Sequence, residues 1–298
     1  MQVKKLYVKF FDVTWQAEDH VARPVARLSI KDTSLRGFTV VPVVFITNET
    51  LLNGDSTAAA LLAERIGKLV FDLVQVGQLA APRELQLDCD WTLSTKDNYF
   101  TLLRSMRNWL DRDYHRDCRL SATIRLHQCR YRDKTGVPPV DKGLLMCYNM
   151  GNLKDPAAGN SIFDATELEK YTRSLSAYPL PLDIALPLFD WKVLFRHDQY
   201  AGLISSLPAS QLANNPAVEA SGNRYTFLRD TSLGNYSFEA GDKLRDEQSD
   251  YHSISAAAVQ LRRRLKTPPS TVILFHLDSS TLSKYSIHEM ETIFDSVH

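Results

Sequence analysis

Glu84-Leu-Gln-Leu-Asp88-Cys-Asp90-Trp91-Thr92 is the stretch on which the reading of this 298-residue chain turns. Apolar and polar residues alternate along it, as they do along a strand, whose successive side chains point to opposite faces. Leu85, Leu87, Cys89 and Trp91 then share one face, and Gln86, Asp88 and Asp90 the other. Two carboxyl groups on one face are not what a surface strand usually carries. Their Cα atoms would lie about 6.6 Å apart at about 3.3 Å of rise per residue, close enough for each charge to disfavour the other where water is scarce. That raises one carboxyl's pKa toward acid catalysis.

Working outward, Leu6–Trp15 is rich in aromatic and β-branched residues and reads as a strand. Phe38–Ile46 is almost wholly apolar, as a strand buried on both faces is, and its Pro42 implies a local defect in the ladder. Thr57–Val76 has Leu61, Leu62, Ile66, Leu69, Val70 and Leu73 at helical spacing. After the opening stretch, Ser94 or Thr95 can cap a helix over Lys96–Arg112. Leu120–Gln128 repeats the strand pattern and would put Thr123, Arg125 and His127 on one face. Gly143–Met150 is a further buried strand, Ala165–Ser176 a helix, and Leu182–Trp191 a strand ending on a second Asp-Trp pair. Val193–Leu207 fits either a helix or a hairpin, and Pro208–Gly241 is polar and turn-rich, with Tyr225–Leu228 as a short strand. The C-terminal part reads as a helix (His252–Leu265), a strand (Thr271–Asp278) and a helix (Ile287–Val297).

Alternating strands and helices with continuous apolar strands predict an α/β fold with a parallel sheet wrapped by helices. A (β/α)₈ TIM-type barrel over residues 1–298 as a single domain fits best, with an irregular or incomplete seventh unit allowed. Asp12, Asp90, His127, Asn149, Asp190 and Asp278 fall at or near the carboxyl ends of their strands, where barrel enzymes build their active sites. A doubly wound sheet binds ligands at the same ends, but no glycine-rich turn follows the first strand in Phe11–Trp15. Nucleotide cofactors are therefore disfavoured, and no cofactor is expected.

Gln86-Leu-Asp88-Cys-Asp90-Trp91-Thr92 resembles the strand signature of family 18 glycoside hydrolases, the chitinase-like barrels, in which alternating acids end in a glutamate. Met146-Cys-Tyr148-Asn149 is similar to that family's Met-x-Tyr-Asp strand. The chain as a whole also resembles an uncharacterised bacterial family of barrel domains, which implies the fold and no activity. In family 18 the terminal glutamate is the general acid, the preceding aspartate positions the sugar's acetamido group, and the sugar supplies the nucleophile. The resemblance matches Asp88 and Asp90 to acidic positions and Tyr148 to the tyrosine. Thr92 stands where the glutamate is expected, and Asn149 where an aspartate is usual.

Without the glutamate, Asp90 is the expected acid and Asp88 modulates it, with Asp12, Asp190 or Asp278 as a second carboxylate. Arg125, His127, Tyr148 and Asn149 would hydrogen-bond substrate, and Trp15, Trp91 and Trp191 would offer flat faces to sugar rings. The rivals are a carbohydrate-binding or scaffold barrel without catalysis and a metal-assisted hydrolase using His127 and aspartates. A purely structural reading pairs Asp88 and Asp90 with Arg125 in a buried network. No His-x-His or His-Glu-x-x-His spacing supports a metal, and no Gly-x-Ser-x-Gly elbow supports a serine nucleophile.

Lysine plus arginine number 35, as do aspartate plus glutamate, so no overall charge draws the chain to nucleic acid or anionic membrane. Arg104–Arg107 and Arg262–Lys266 read as solvated helix faces. Cys89, Cys118, Cys129 and Cys147 form no CxxC pair or zinc spacing and favour a reduced core, though a disulfide between neighbouring strands stays open. No run approaches the length of a membrane span, and Met1–Lys5 lacks the apolar stretch of a signal peptide. A soluble protein is expected, either cytoplasmic or exported and shown without its leader, whose partner is a carbohydrate.

Overall fold

The computed structural model describes residues 3–297 other than 32, 55, 115, 116 and 206. The chain divides into two compact units, Met1–Met146 with Ser174–Ile184 and Leu265–Thr271, and Cys147–Arg173 with Ala185–Arg264 and Val272–His298.

The first unit opens with β1 (Lys5–Gln16), β2 (Val21–Val25), β3 (Thr39–Ile46), α1 (Asn48–Leu52), α2 (Ser56–Val76), β4 (Glu84–Asp88) and α3 (Lys96–Asp113). It continues through β5 (Arg119–Arg125), α4 (Leu126–Arg130), α5 (Arg132–Thr135) and β6 (Lys142–Met146). β1 pairs with β3, β3 with β4, β4 with β5 and β5 with β6, all in parallel, and only β2 runs antiparallel, beside β1. The defect expected from Pro42 lies in its neighbour: Pro42 faces Val8, and the β1 register slips between Lys9 and Phe11. On α2, Ala59, Ala63, Ile66, Val70 and Val74 recur every three or four residues and are all buried, which is the stripe a helix needs against a sheet. Gly67 lets α3 approach: a Cβ there would stand 2.5 Å from the Trp109 ring.

Later in the chain come α6 (Ala165–Thr172), β7 (Leu182–Pro187), β8 (Asp190–Arg196), β9 (Gln199–Ile204), α7 (Ala209–Ala213), β10 (Val218–Ser221) and β11 (Arg224–Phe227). They are followed by β12 (Thr231–Leu233), β13 (Tyr236–Phe238), β14 (Lys243–Gln248), α8 (Tyr251–Arg264), β15 (Val272–Phe275), α9 (Ser279–Leu282) and α10 (Ile287–Asp295). The largest sheet has the order β15-β7-β6-β5-β4-β3-β1-β2. Mostly parallel, with helices between its strands, it is an incomplete (β/α)₈ barrel.

The irregular unit lies between β7 and β15. Within the second unit, β10-β11-β14-β8-β9 form a five-stranded sheet whose determined pairings are all antiparallel. Val193–Leu207, open at the sequence level, is mostly a hairpin of β8 and β9. This sheet covers a core of Ile204, Leu207, Leu212, Tyr225, Phe227, Phe238 and Leu244. Arg245, fully buried, is held by Glu247 Oε1 at 2.5 Å, by the Leu153 and Asp155 carbonyls, and by the face of Phe195, 5.0 Å away.

At the amino ends of the first unit's strands, Lys142 Nζ lies 2.9 Å from Glu84 Oε2 and 2.5 Å from Asp183 Oδ2, with all three side chains buried. Ser121 donates to Glu84 Oε1, and Ser270 and the Thr271 amide donate to Asp183 Oδ1. Tyr7 donates to Glu84 as well, and burial, reinforced by Glu84 and Asp183, keeps its phenol protonated. Removing one partner from such a group strands the rest as uncompensated charge. Lys142→Met is therefore expected to cost about 3–5 kcal/mol in urea denaturation, and adding Glu84→Gln and Asp183→Asn should recover much of that loss. A single variant as stable as wild type would contradict the assignment.

Candidate functional site

The carboxyl ends of β4 and β5 carry the acidic group. Gln86 lies opposite Ser121 and Leu87 opposite Ala122, which brings Asp88 beside Thr123. The Thr123 hydroxyl, 4 % exposed with its residue, donates to Asp88 Oδ1 at 2.6 Å and accepts the Cys89 amide at 3.4 Å. Burial pushes the Asp88 carboxyl up to about 6; the Thr123 hydrogen bond opposes this, Asp90 adds to it, and Arg125 and Lys9 oppose it.

β4 ends at Asp88, so Asp90 sits in the turn beyond it rather than on the strand as expected. It still meets β5: Arg125 Nε and Nη2 grip its two carboxylate oxygens in a bidentate pair. The turn is pinned from both sides. Asn48 donates to the Asp90 carbonyl, and the Gln128 side chain accepts the Arg125 amide at 2.8 Å while donating to the Trp91 carbonyl at 3.1 Å.

Asp12 lies in the same row. It is in register with Phe45, and Phe45 with Asp88, across β1, β3 and β4, so the three side chains share a face with about 10 Å between the outer Cα atoms. Lys9 Nζ lies 3.0 Å from Asp12 Oδ1 and donates to Oδ2 at 3.1 Å. Trp15, an odd number of residues on, alternates to the other face and stands half-buried with its ring edge toward His20.

Other placements also differ from the sequence reading. β5 stops at Arg125 and the chain turns into α4, so His127 leaves the face of Thr123 and Arg125 and is exposed on a helix. Partial burial of its ring, with the Arg125 charge, holds its pKa down. Trp91 is 2 % exposed, stacked on Tyr99 with its ring N–H donated to the Thr135 carbonyl at 3.0 Å. Thr92, where the glutamate was expected, is exposed and its hydroxyl lies 2.8 Å from that of Ser94.

In the second unit, Tyr148 stacks on Phe275 at 5.2 Å and meets Phe189 edge-on at 5.8 Å. Asn149 is exposed with φ 54°, a left-handed conformation that asparagine tolerates better than most residues. Asp190 begins β8 rather than ending β7, and pairs with Lys284. Trp191 packs on Phe189 and donates its ring N–H to Glu247 Oε2 at 2.7 Å. Asp278 caps α9, accepting the Ser280 and Thr281 amides, which with the Ser280 hydroxyl holds its carboxyl below the ordinary range.

Thr123 and Lys9 were not singled out from the sequence. The alternation along β5 carried a signal for Thr123; Lys9 reaches Asp12 only because β1 slips by one residue. All four cysteines are buried, and none forms a disulfide among the described residues. Among the described residues, no three His, Cys, Asp or Glu side chains gather closely enough to hold a metal, and no helix is long and apolar enough to cross a membrane.

The chain has the fold of the chitinase-like glycoside hydrolases. Its structure is similar to a chitinase from Chromobacterium violaceum (TM-score 0.57, 10 % identity, 97 % of this chain and 91 % of that one). It is also similar to the spore cortex-lytic enzyme SleL from Bacillus megaterium (TM-score 0.59, 13 % identity, 99 % and 73 %). A third likeness is to a family 18 chitinase from Cycas revoluta in complex with (GlcNAc)3 (TM-score 0.53, 13 % identity, 98 % and 92 %). No protein-family model and no curated protein matches the sequence.

Asp88 makes stability depend on pH. Because the folded protein keeps its proton up to about pH 6 and the unfolded chain only to about 4, the contribution is full below pH 4 and is lost as pH rises to 6. Two pH units are worth about 3 kcal/mol for a fully buried group, and about 2 after solvent screening. Denaturation midpoints between pH 4 and 6.5 should therefore show wild type losing about 2 kcal/mol relative to Asp88→Asn. Parallel profiles would contradict the raised pKa.

Proposed function

We propose that the protein hydrolyses a glycosidic bond, with Asp88 as general acid. The observation that carries this reading is a partly buried carboxyl, raised to about 6, on the fold of carbohydrate-cleaving enzymes. The acid's role moves from Asp90 to Asp88 because both Asp90 oxygens are occupied by Arg125. The Asp88 proton passes to the bridging oxygen as its bond to the anomeric carbon breaks, and water completes the exchange. Asp12, on the same face two strands away, is the candidate base for that water.

Arg125, His127, Tyr148 and Asn149 are assigned to sugar hydroxyls. Trp191 has the exposure to meet a ring; Trp15 stands on the face away from Asp88, and Trp91 is covered and supports the turn that carries Asp90. Asp190 and Asp278, engaged by Lys284 and by a helix end, would accept from sugar hydroxyls with their remaining lone pairs.

A second reading is favoured by Thr92 and by the closed Asp90–Arg125 pair: a barrel that binds glycans without cleaving them. Turnover of N-acetylglucosamine oligosaccharides and a panel of other glycosides separates the two. For catalysis, Asp88→Asn lowers kcat about 10²–10⁴-fold with KM little changed, and less with a nitrophenyl leaving group, which departs without a proton. Glycan binding that survives Asp88→Asn, with no turnover of any substrate by wild type, establishes the second reading instead.

A further inference from the structure

We infer that Thr123 is a positioning residue: it fixes which oxygen of Asp88 carries the proton and how readily that proton is released. This rests on the proposed role of Asp88 as the acid. The Thr123 oxygen accepts the Cys89 amide, and its single proton is aimed at Asp88 Oδ1, 2.6 Å away. The carbonyl oxygen of a protonated carboxyl is its better acceptor, so a donor held on Oδ1 favours the acid proton on Oδ2.

The same contact favours the charged form, since a donor binds a carboxylate more strongly than a neutral acid. Burial alone would make Asp88 too weak an acid to release its proton near neutrality. Thr123 offsets that from β5, where Arg125 also faces Asp88; Asp90 faces it from the turn after β4 and Lys9 from β1. The neighbour in register on β3 is the uncharged Phe45. Of these groups, Thr123 is the one that hydrogen-bonds Asp88, so its removal isolates one contact without altering charge.

The test is a carboxyl ¹³C titration of aspartate-labelled, full-length wild type, Thr123→Val and Thr123→Ser. The Asp88 midpoint should rise by about one pH unit in Thr123→Val and return in Thr123→Ser. The basic limb of kcat/KM against pH on a cleaved glycoside should move with it. Thr123→Ala serves in the same way should the valine variant fail to fold. An unmoved midpoint in a folded variant overturns the inference while leaving Asp88 as the acid. A wild-type midpoint near 4 instead removes the acid role itself, so the two failures are told apart before any variant is compared.

Discussion

One short strand sets the terms for the first unit. Glu84, Gln86 and Asp88 occupy alternate positions of β4 and therefore project from one face of the sheet. Two of the three are carboxyls, and polar groups away from water are tolerated only when paired or hydrogen-bonded. The neighbouring strands answer in step. Ser121 and Thr123 of β5 donate to Glu84 and Asp88, and Lys142 of β6 faces Glu84. Arg125 then closes on Asp90 one step beyond.

The two ends of this polar column have different chemistry. At the amino end, Lys142 holds two carboxylates at once, and the group is sealed by Tyr7, Ser121 and Thr271. At the carboxyl end, Asp88 has a hydroxyl as its nearest donor instead of a cation, so burial is only partly offset and the proton is retained toward neutrality.

Much of this was legible in the sequence because it depends on period. The alternation along 84–88 gave the shared face, the helical spacing in 57–76 gave α2, and together with the strands they gave the barrel class. Boundaries were less legible. Leu126-His127 continues the alternation of β5 in sequence, yet Gln128 is drawn back to cap the Arg125 amide, which turns the chain into a helix and removes His127 from the face. Asp190-Trp191 looked like a strand end because nothing local distinguishes it from the start of the next strand, and the sheet from β8 to β14 is made of long-range pairings between short polar segments. The Asp90–Arg125 pair was foreseen as a structural alternative; that both oxygens would be engaged depends on the turn geometry, which residue spacing does not fix.

The central claim is that the Asp88 carboxyl faces a sugar. A crystal structure of the protein soaked with an N-acetylglucosamine oligosaccharide examines it most directly. The account predicts a bridging oxygen within about 3 Å of Asp88 Oδ2, with Thr123 still bound to Oδ1. Density for the oligosaccharide elsewhere, with Asp88 closed off behind the Asp90–Arg125 pair, would contradict it.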